Sequence, residues 1–142
     1  MNRGEDMNSL NKSSMVKELN SSKQAIEQTC GAKVELFRAP YGEYNNTLIE
    51  TAKELGLYTI QWDVDSLDWK NLSANEISKR VISKVKAGSI VLFHNQGLHT
   101  ADAIKIIIPE LKNQGYEFVP IGELIYKDNF YVRSDGTQIK NS

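Results

Sequence analysis

Ser89-Ile90-Val91-Leu92-Phe93-His94-Asn95 is the stretch that decides the fold. Its four consecutive apolar residues, Ile90 to Phe93, are too few for a helix and do not alternate with polar ones. They predict a strand buried on both faces, as in a parallel sheet. Upstream, Ser73 and Glu76 stand at capping-box spacing before a helix carrying Ile77, Val81, Ile82 and Val85 and ending at Gly88. Downstream, Thr100 is expected to cap a helix of Ala103, Ile104, Ile107, Ile108 and Leu111, which Pro109 should kink or split and Gly115 should end. Earlier still, Tyr58–Trp62 predicts a strand by its β-branched and aromatic content. Val34–Phe37 predicts another, followed by a helix from about Thr47 to Leu55 with a Thr47–Glu50 capping box, Leu48, Ile49, Ala52 and Leu55 facing inward, and Gly56 closing it. Asn11 can cap a first helix, Lys12 to Cys30, with a stripe of Met15 or Val16, Leu19, Ile26 and Cys30 and a stop at Gly31.

Tyr116–Val119 completes the expected core strands and Ile121–Ile125 a short helix; Phe130–Ile139 alternates around Asp135-Gly136 and predicts a hairpin with a two-residue turn outside the core. Strand and helix therefore alternate with short connections, which gives an α/β class with parallel strands and external helices. The pattern does not separate an open sheet from a barrel. Residues 1–126 form the expected domain and 127–142 a hairpin or tail.

With 142 residues, 40% of them hydrophobic and 25% charged, the chain is long enough and apolar enough to bury a core. Its net charge of −1 supplies no general field for nucleic acid or an anionic membrane surface. A membrane span needs about 20 apolar residues in a row, far beyond any run here. The N-terminal residues lack a basic segment followed by an apolar one, so no signal peptide is expected. Cys30 is the only cysteine, which excludes an internal disulfide, and His94 and His99 are the only histidines.

Ligands of parallel α/β proteins bind at the carboxyl ends of the strands. There this sequence places Arg38-Ala39-Pro40-Tyr41-Gly42, then Asp63, Asp65, Asp68 and Trp69, then His94 and Asn95. Each has a plain reading on its own: Arg38 as a surface residue, Asp65 and Asp68 as loop or helix caps, Trp69 as packing, His94 as a core histidine. Together on one rim they form the constellation expected of an active site. A carboxylate, Asp68 or Asp65, beside His94 would orient the imidazole and favour its protonated form, suiting it to general acid work. His99 and Cys30 keep the plain readings. A nucleophile, or a carboxylate and histidine set able to hold a metal and activate water, is missing from the pattern.

FRAPYG (Phe37–Gly42), DSLDW (Asp65–Trp69) and LFHN (Leu92–Asn95), in that order, resemble the later motifs of the polysaccharide deacetylases, the NodB-homology domain of carbohydrate esterase family 4. The likeness is greatest to sporulation-type members, in which a strand ending QWDVDSLDW is typical, and covers nearly the whole chain. It implies a distorted (β/α) barrel, here partial and without its first strands. It implies removal of N-acetyl groups from amino-sugar polymers such as peptidoglycan or chitin, with water held on a divalent metal, usually zinc. By the same resemblance Arg38 would orient the catalytic aspartate, and the Tyr41 backbone N–H would stabilise the oxyanion. Asp68, with Asp65 as second choice, would tune His94; Trp69 and Leu92 would line the groove and acetyl pocket; His94 would protonate the departing amine.

The family's early TFDDG motif and its H-S/T-x-x-H pair of metal ligands are not in the sequence, and Asp6–Leu10 resembles the segment just beyond that pair. The resemblance therefore implies the back part of a deacetylase, with no metal ligands of its own and inactive alone. The chain is then expected to be one of three things: a deacetylase chain of this kind, a non-catalytic glycan-binding or regulatory remnant, or a half complemented by another chain. An exposed sheet edge would favour self-association. Relatives of this family are often exported or associated with the cell wall or spore.

Overall fold

The structure, a computed structural model, describes residues 11–142. Residues 1–10, including the Asp6–Leu10 segment, lie outside the described residues. Contacts divide the described residues into two compact units, 11–61 with Lys127–Ser142, and Trp62–Tyr126.

In the first unit, helix α1 (Lys12–Cys30) begins where Asn11 Oδ1 accepts from Ser14 N at 2.8 Å and ends at Gly31, whose φ of 68° is the left-handed stop. Met15 and Leu19 are buried, but Ile26 and Cys30, expected on the same stripe, are exposed. The reason is length: the 19 residues of α1 outreach the nine of α2 (Asn46–Glu54), the helix it packs on. Helix α2 is capped by Asn45, whose Oδ1 accepts from Leu48 N at 2.8 Å, rather than by Thr47, which is already helical. Leu48, Thr51 and Ala52 form its buried face, and the Thr51 hydroxyl is satisfied by Thr47 O at 2.6 Å. Strand β1 (Leu36–Phe37) pairs in parallel with β2 (Tyr58–Thr59). The core of this unit gathers Met15, Leu19, Phe37, Ala39, Leu48, Ala52 and Leu57.

The hairpin of β5 (Phe130–Val132) and β6 (Gln138–Lys140) is antiparallel and belongs to the same unit. Its connection is longer than the expected two residues: Arg133 N donates to Thr137 O, leaving 134–136 between them, and Gly136 at φ 86° takes the left-handed position. Asp135 explains the choice, because its carboxylate pairs with Arg133 and accepts from Thr137 N at 2.9 Å. The tip is tied down by Tyr44 Oη, which donates to Ser134 O at 2.7 Å.

In the second unit, β3 (Val64–Asp65) pairs in parallel with β4 (Val91–Leu92). The expected strand over Tyr58–Trp62 is thus shorter, and a separate one follows it. Val91 and Leu92 are half-buried rather than buried on both faces. Helices α3 (Ala74–Lys84) and α4 (Thr100–Asn113) pack on each other through Ile77 and Val81, and Ala103, Ile107 and Leu111, which with Val64 make the second core. Ser73 caps α3, its hydroxyl accepting from Glu76 N at 3.1 Å. Helix α4 runs through Pro109 without a break. Buried contacts on either side of the proline, Ile107 and Leu111, hold both turns to α3 and offset the missing N–H. Tyr116–Val119 forms no strand, and Phe118 and Val119 are exposed. Helix α5 (Ile121–Leu124) follows Pro120.

Asn45→Ala should lower the stability of the chain by about 1 kcal/mol, whereas Thr47→Ala should change it by only a few tenths. Urea unfolding of the two variants checks which residue caps α2.

Candidate active site

The site grows from the loop that leaves β3. Asp65 Oδ1 accepts from Leu67 N at 3.0 Å, an Asx turn that directs the chain away from the strand. Arg80 Nε, from α3, donates to the Asp65 carbonyl at 2.8 Å. Leu67 and Asn71, at φ 54° and 59°, bracket a 3₁₀ turn of Asp68-Trp69-Lys70. Asparagine tolerates this left-handed backbone, whereas for leucine it costs about 1 kcal/mol or more. The result is a sharply turned loop that sends Asp68 inward and Trp69 outward: Asp68 is fully buried, and Trp69 is 54% exposed with Lys70 Nζ 5.4 Å from its ring centroid.

Asp68 meets the residues that follow β4. Its Oδ1 lies 2.7 Å from His94 Nδ1, while Oδ2 accepts from His94 N at 2.9 Å and from Thr100 Oγ1 at 2.6 Å. Asp68 N–H points to Ser66 Oγ at 3.4 Å, and Ser66 is also buried. Burial pushes the carboxyl up, but the His94 N–H, the Thr100 hydroxyl, the imidazole and the Ser66 hydroxyl outweigh it and hold Asp68 below the usual carboxylate range. An ionised carboxylate accepts only, so His94 Nδ1 carries the hydrogen and Nε2 is left for other chemistry. The imidazole is about one-third exposed (35%). Neutral, it can take a proton at Nε2; protonated and paired with Asp68, it can deliver one.

The other residues singled out in the sequence fall in different places. Asp65 directs its carboxylate to Leu67 N. Asp63 closes the start of the β3–β4 pair, accepting from Ser89 Oγ and Ile90 N, both at 2.7 Å. Leu92 is half-buried on β4, directly opposite Asp65 in the ladder. Arg38 and Tyr41 belong to the first unit: Arg38 is exposed between the buried Phe37 and Ala39, and Tyr41 sits in the 3₁₀ turn Pro40–Gly42. Thr100, expected as a helix cap, instead gives its hydroxyl to Asp68, and His99 takes the cap position. Sequence reasoning passed over Gly97 and Ser66. A Cβ on Gly97 would land on Thr100 Oγ1 and come within 3.0 Å of Asp68 Oδ2. The signal for Thr100 was its spacing: it precedes Ala103, Ile107 and Leu111 by steps that share one helix face.

Among the described residues no three of His, Cys, Asp and Glu lie together as a metal-binding group. Asp68 and His94 supply only two such side chains, and both Asp68 oxygens are taken by hydrogen bonds. These residues do not fit a divalent cation. Nor is any helix among the described residues long and apolar enough to cross a membrane.

Asp68→Asn should destabilise the chain by about 3 kcal/mol at neutral pH, since buried donors lose an ionic acceptor. Because the folded Asp68 titrates below its unfolded value of about 3.9, its contribution is present above that pH and fades as pH falls through the folded value. Urea unfolding between pH 2 and 7 should show the gap between the two proteins closing only at the acid end.

Comparison with known proteins bears on the family of the chain. Residues 4–60 match the family "Polysaccharide deacetylase". A peptidoglycan-N-acetylglucosamine deacetylase of Bacillus cereus is 42% identical over 95 residues, 63% of this chain and 45% of that protein. One from Listeria monocytogenes is 41% identical over 106 residues, 75% of this chain and 22% of that protein. A crystal structure of a wild-type CE4 family pseudoenzyme from Bacillus anthracis superposes with a TM-score of 0.79 at 32% identity, covering 84% of this chain and 42% of the other. The chain thus spans less than half the length of each of these proteins. Its α/β fold, with parallel pairing in both units, is that of the NodB-type (β/α) barrel in part, and residues 4–60 carry the match to the polysaccharide deacetylase family.

Proposed function

We propose that this chain is the acid-bearing part of a hydrolase that removes N-acetyl groups from amino-sugar polymers, peptidoglycan in the first instance. The observation that carries the reading is the pair formed by the buried Asp68 carboxylate and the partly exposed His94, at 2.7 Å. Cleaving an acetamide requires a proton for the leaving amine, which is otherwise too basic to depart. His94, held as an Nδ1–H donor to Asp68, can present that proton at Nε2. Trp69 and Leu92 take the roles of sugar platform and acetyl-pocket wall. Arg38 and the Tyr41 N–H keep the roles given by the resemblance, orienting a carboxylate and stabilising an oxyanion, and Asp65 remains second to Asp68. Residues 1–126 then make up the back part of the catalytic domain, and 127–142 its terminal hairpin. The water-activating cation, zinc by the resemblance, has no donor set among the described residues.

Two features support the further proposal that the chain by itself does not turn over. The sequence has neither TFDDG nor H-S/T-x-x-H, and a structure it resembles is called a pseudoenzyme. A glycan-binding role is favoured by one specific observation, the exposed Trp69 in the 3₁₀ turn of residues 68–70.

Incubated with N-acetylglucosamine oligomers and zinc, the purified chain should release no acetate above the blank; sustained release would overturn the proposed inactivity. If Trp69 is a sugar platform, those oligomers should bind, and Trp69→Ala should weaken binding by about fivefold, near 1 kcal/mol, in a calorimetric titration.

A further inference from the structure

We infer that Thr100, with Gly97 packed on it, is a positioning residue for the Asp68–His94 pair: by holding one carboxylate oxygen it reserves the other for the imidazole. The inference rests on the reading of His94 as the proton donor only for its catalytic meaning; the geometry stands by itself.

Asp68 has two oxygens and several donors around it. If Oδ2 were not held, the carboxylate could rotate, sharing its charge differently between the His94 N–H and the imidazole. In the structure Oδ2 accepts from His94 N at 2.9 Å and from Thr100 Oγ1 at 2.6 Å, which leaves Oδ1 to His94 Nδ1 at 2.7 Å. A threonine hydroxyl has one proton to give, and an ionised carboxylate can only accept, so the direction of the bond is fixed. Bonds of this kind are among the stronger ones in proteins because the acceptor is charged.

The anchor is rigid for a reason that begins in the sequence. Thr100, Ala103, Ile107 and Leu111 share one face of α4, and the last three are buried against α3. The α3–α4 core therefore places the hydroxyl, and threonine's branched Cβ limits the rotamers it can adopt. Gly97 closes the arrangement from the loop side. Any side chain there would collide with Thr100 Oγ1 and crowd Asp68 Oδ2, at 3.0 Å, so its lack of a Cβ permits the hydroxyl to sit where it does. A hydroxyl on one oxygen thus determines, through the carboxylate, which imidazole nitrogen keeps its hydrogen. That selection matters because a neutral histidine free in solution prefers the opposite tautomer, and the wrong one would turn Nε2 from an acceptor into a donor.

The test reads the imidazole directly, in the whole chain labelled with 15N-histidine, with His94 assigned by the signals lost in His94→Gln. In the parent protein neutral His94 should be almost entirely the Nδ1–H form. Thr100→Val should lower the ratio of Nδ1–H to Nε2–H tautomer about tenfold, as expected for one charge-assisted hydrogen bond. Thr100→Ser, which keeps the hydroxyl, should restore the parent pattern. Gly97→Ala should reproduce the effect of Thr100→Val, and the double variant should add little to either. A parent-like tautomer ratio in a folded Thr100→Val, or a folded Thr100→Ser that behaves like Thr100→Val, would overturn the inference. Should Thr100→Val not fold, Gly97→Ala decides alone, with a parent-like ratio counting against the clamp and a tenfold drop for it. Acetate release plays no part in this readout, so loss of the deacetylase reading would leave the clamp standing, and loss of the clamp would leave that reading intact.

Discussion

One buried negative charge organises the second unit. A carboxylate shielded from water is tolerated only when donors replace its hydration, and Asp68 obtains them from two separate elements, the end of β4 and the start of α4. Each donor has to be delivered with ångström accuracy, and the fold does so by fixing what lies behind it. The Asx turn at Asp65 and the Arg80 contact set the loop, the β3–β4 register sets His94, and the α3–α4 core sets Thr100. The requirements of one ion thus account for why these elements meet as they do.

This arrangement also separates two kinds of chemistry. Delivering a proton needs an imidazole with a fixed hydrogen on one nitrogen and an accessible second nitrogen, and the described residues provide both. Activating water on a cation needs a cluster of unengaged donor atoms, and these residues provide none together. The two tasks are met by different stretches of sequence.

Much of this was legible in the residues themselves. Several features set by neighbours within four positions agree between sequence and structure, as where Asn11 and Gly31 bound α1 and Ser73 with Glu76 opens α3, while Asn45 displaces Thr47 as the cap of α2. The pairing of an aspartate with His94 was legible as chemistry, and the choice between Asp65 and Asp68 was left to the turn between them. Much of what else escaped depends on distant partners. Ile26 and Cys30 continue a stripe whose opposing helix has ended, and Tyr116–Val119 has strand-like residues but no ladder among the described residues. Thr100 looked like a cap because helix-opening threonines usually are; only the carboxylate 32 positions earlier in the chain shows its other use.

Leu67 carries a consequence for anyone wishing to make this protein more robust. A side chain in that backbone conformation is an obvious target, and glycine would relieve it at once. Glycine would also enlarge the repertoire of the unfolded chain and slacken the bracket around residues 68–70, trading a local relief for a looser hold on the buried Asp68. Thermal hardening and the exact seating of the Asp68–His94 pair therefore pull against each other at this one leucine, and a screen that selects on melting temperature alone would drift toward well-folded proteins with that pair misaligned.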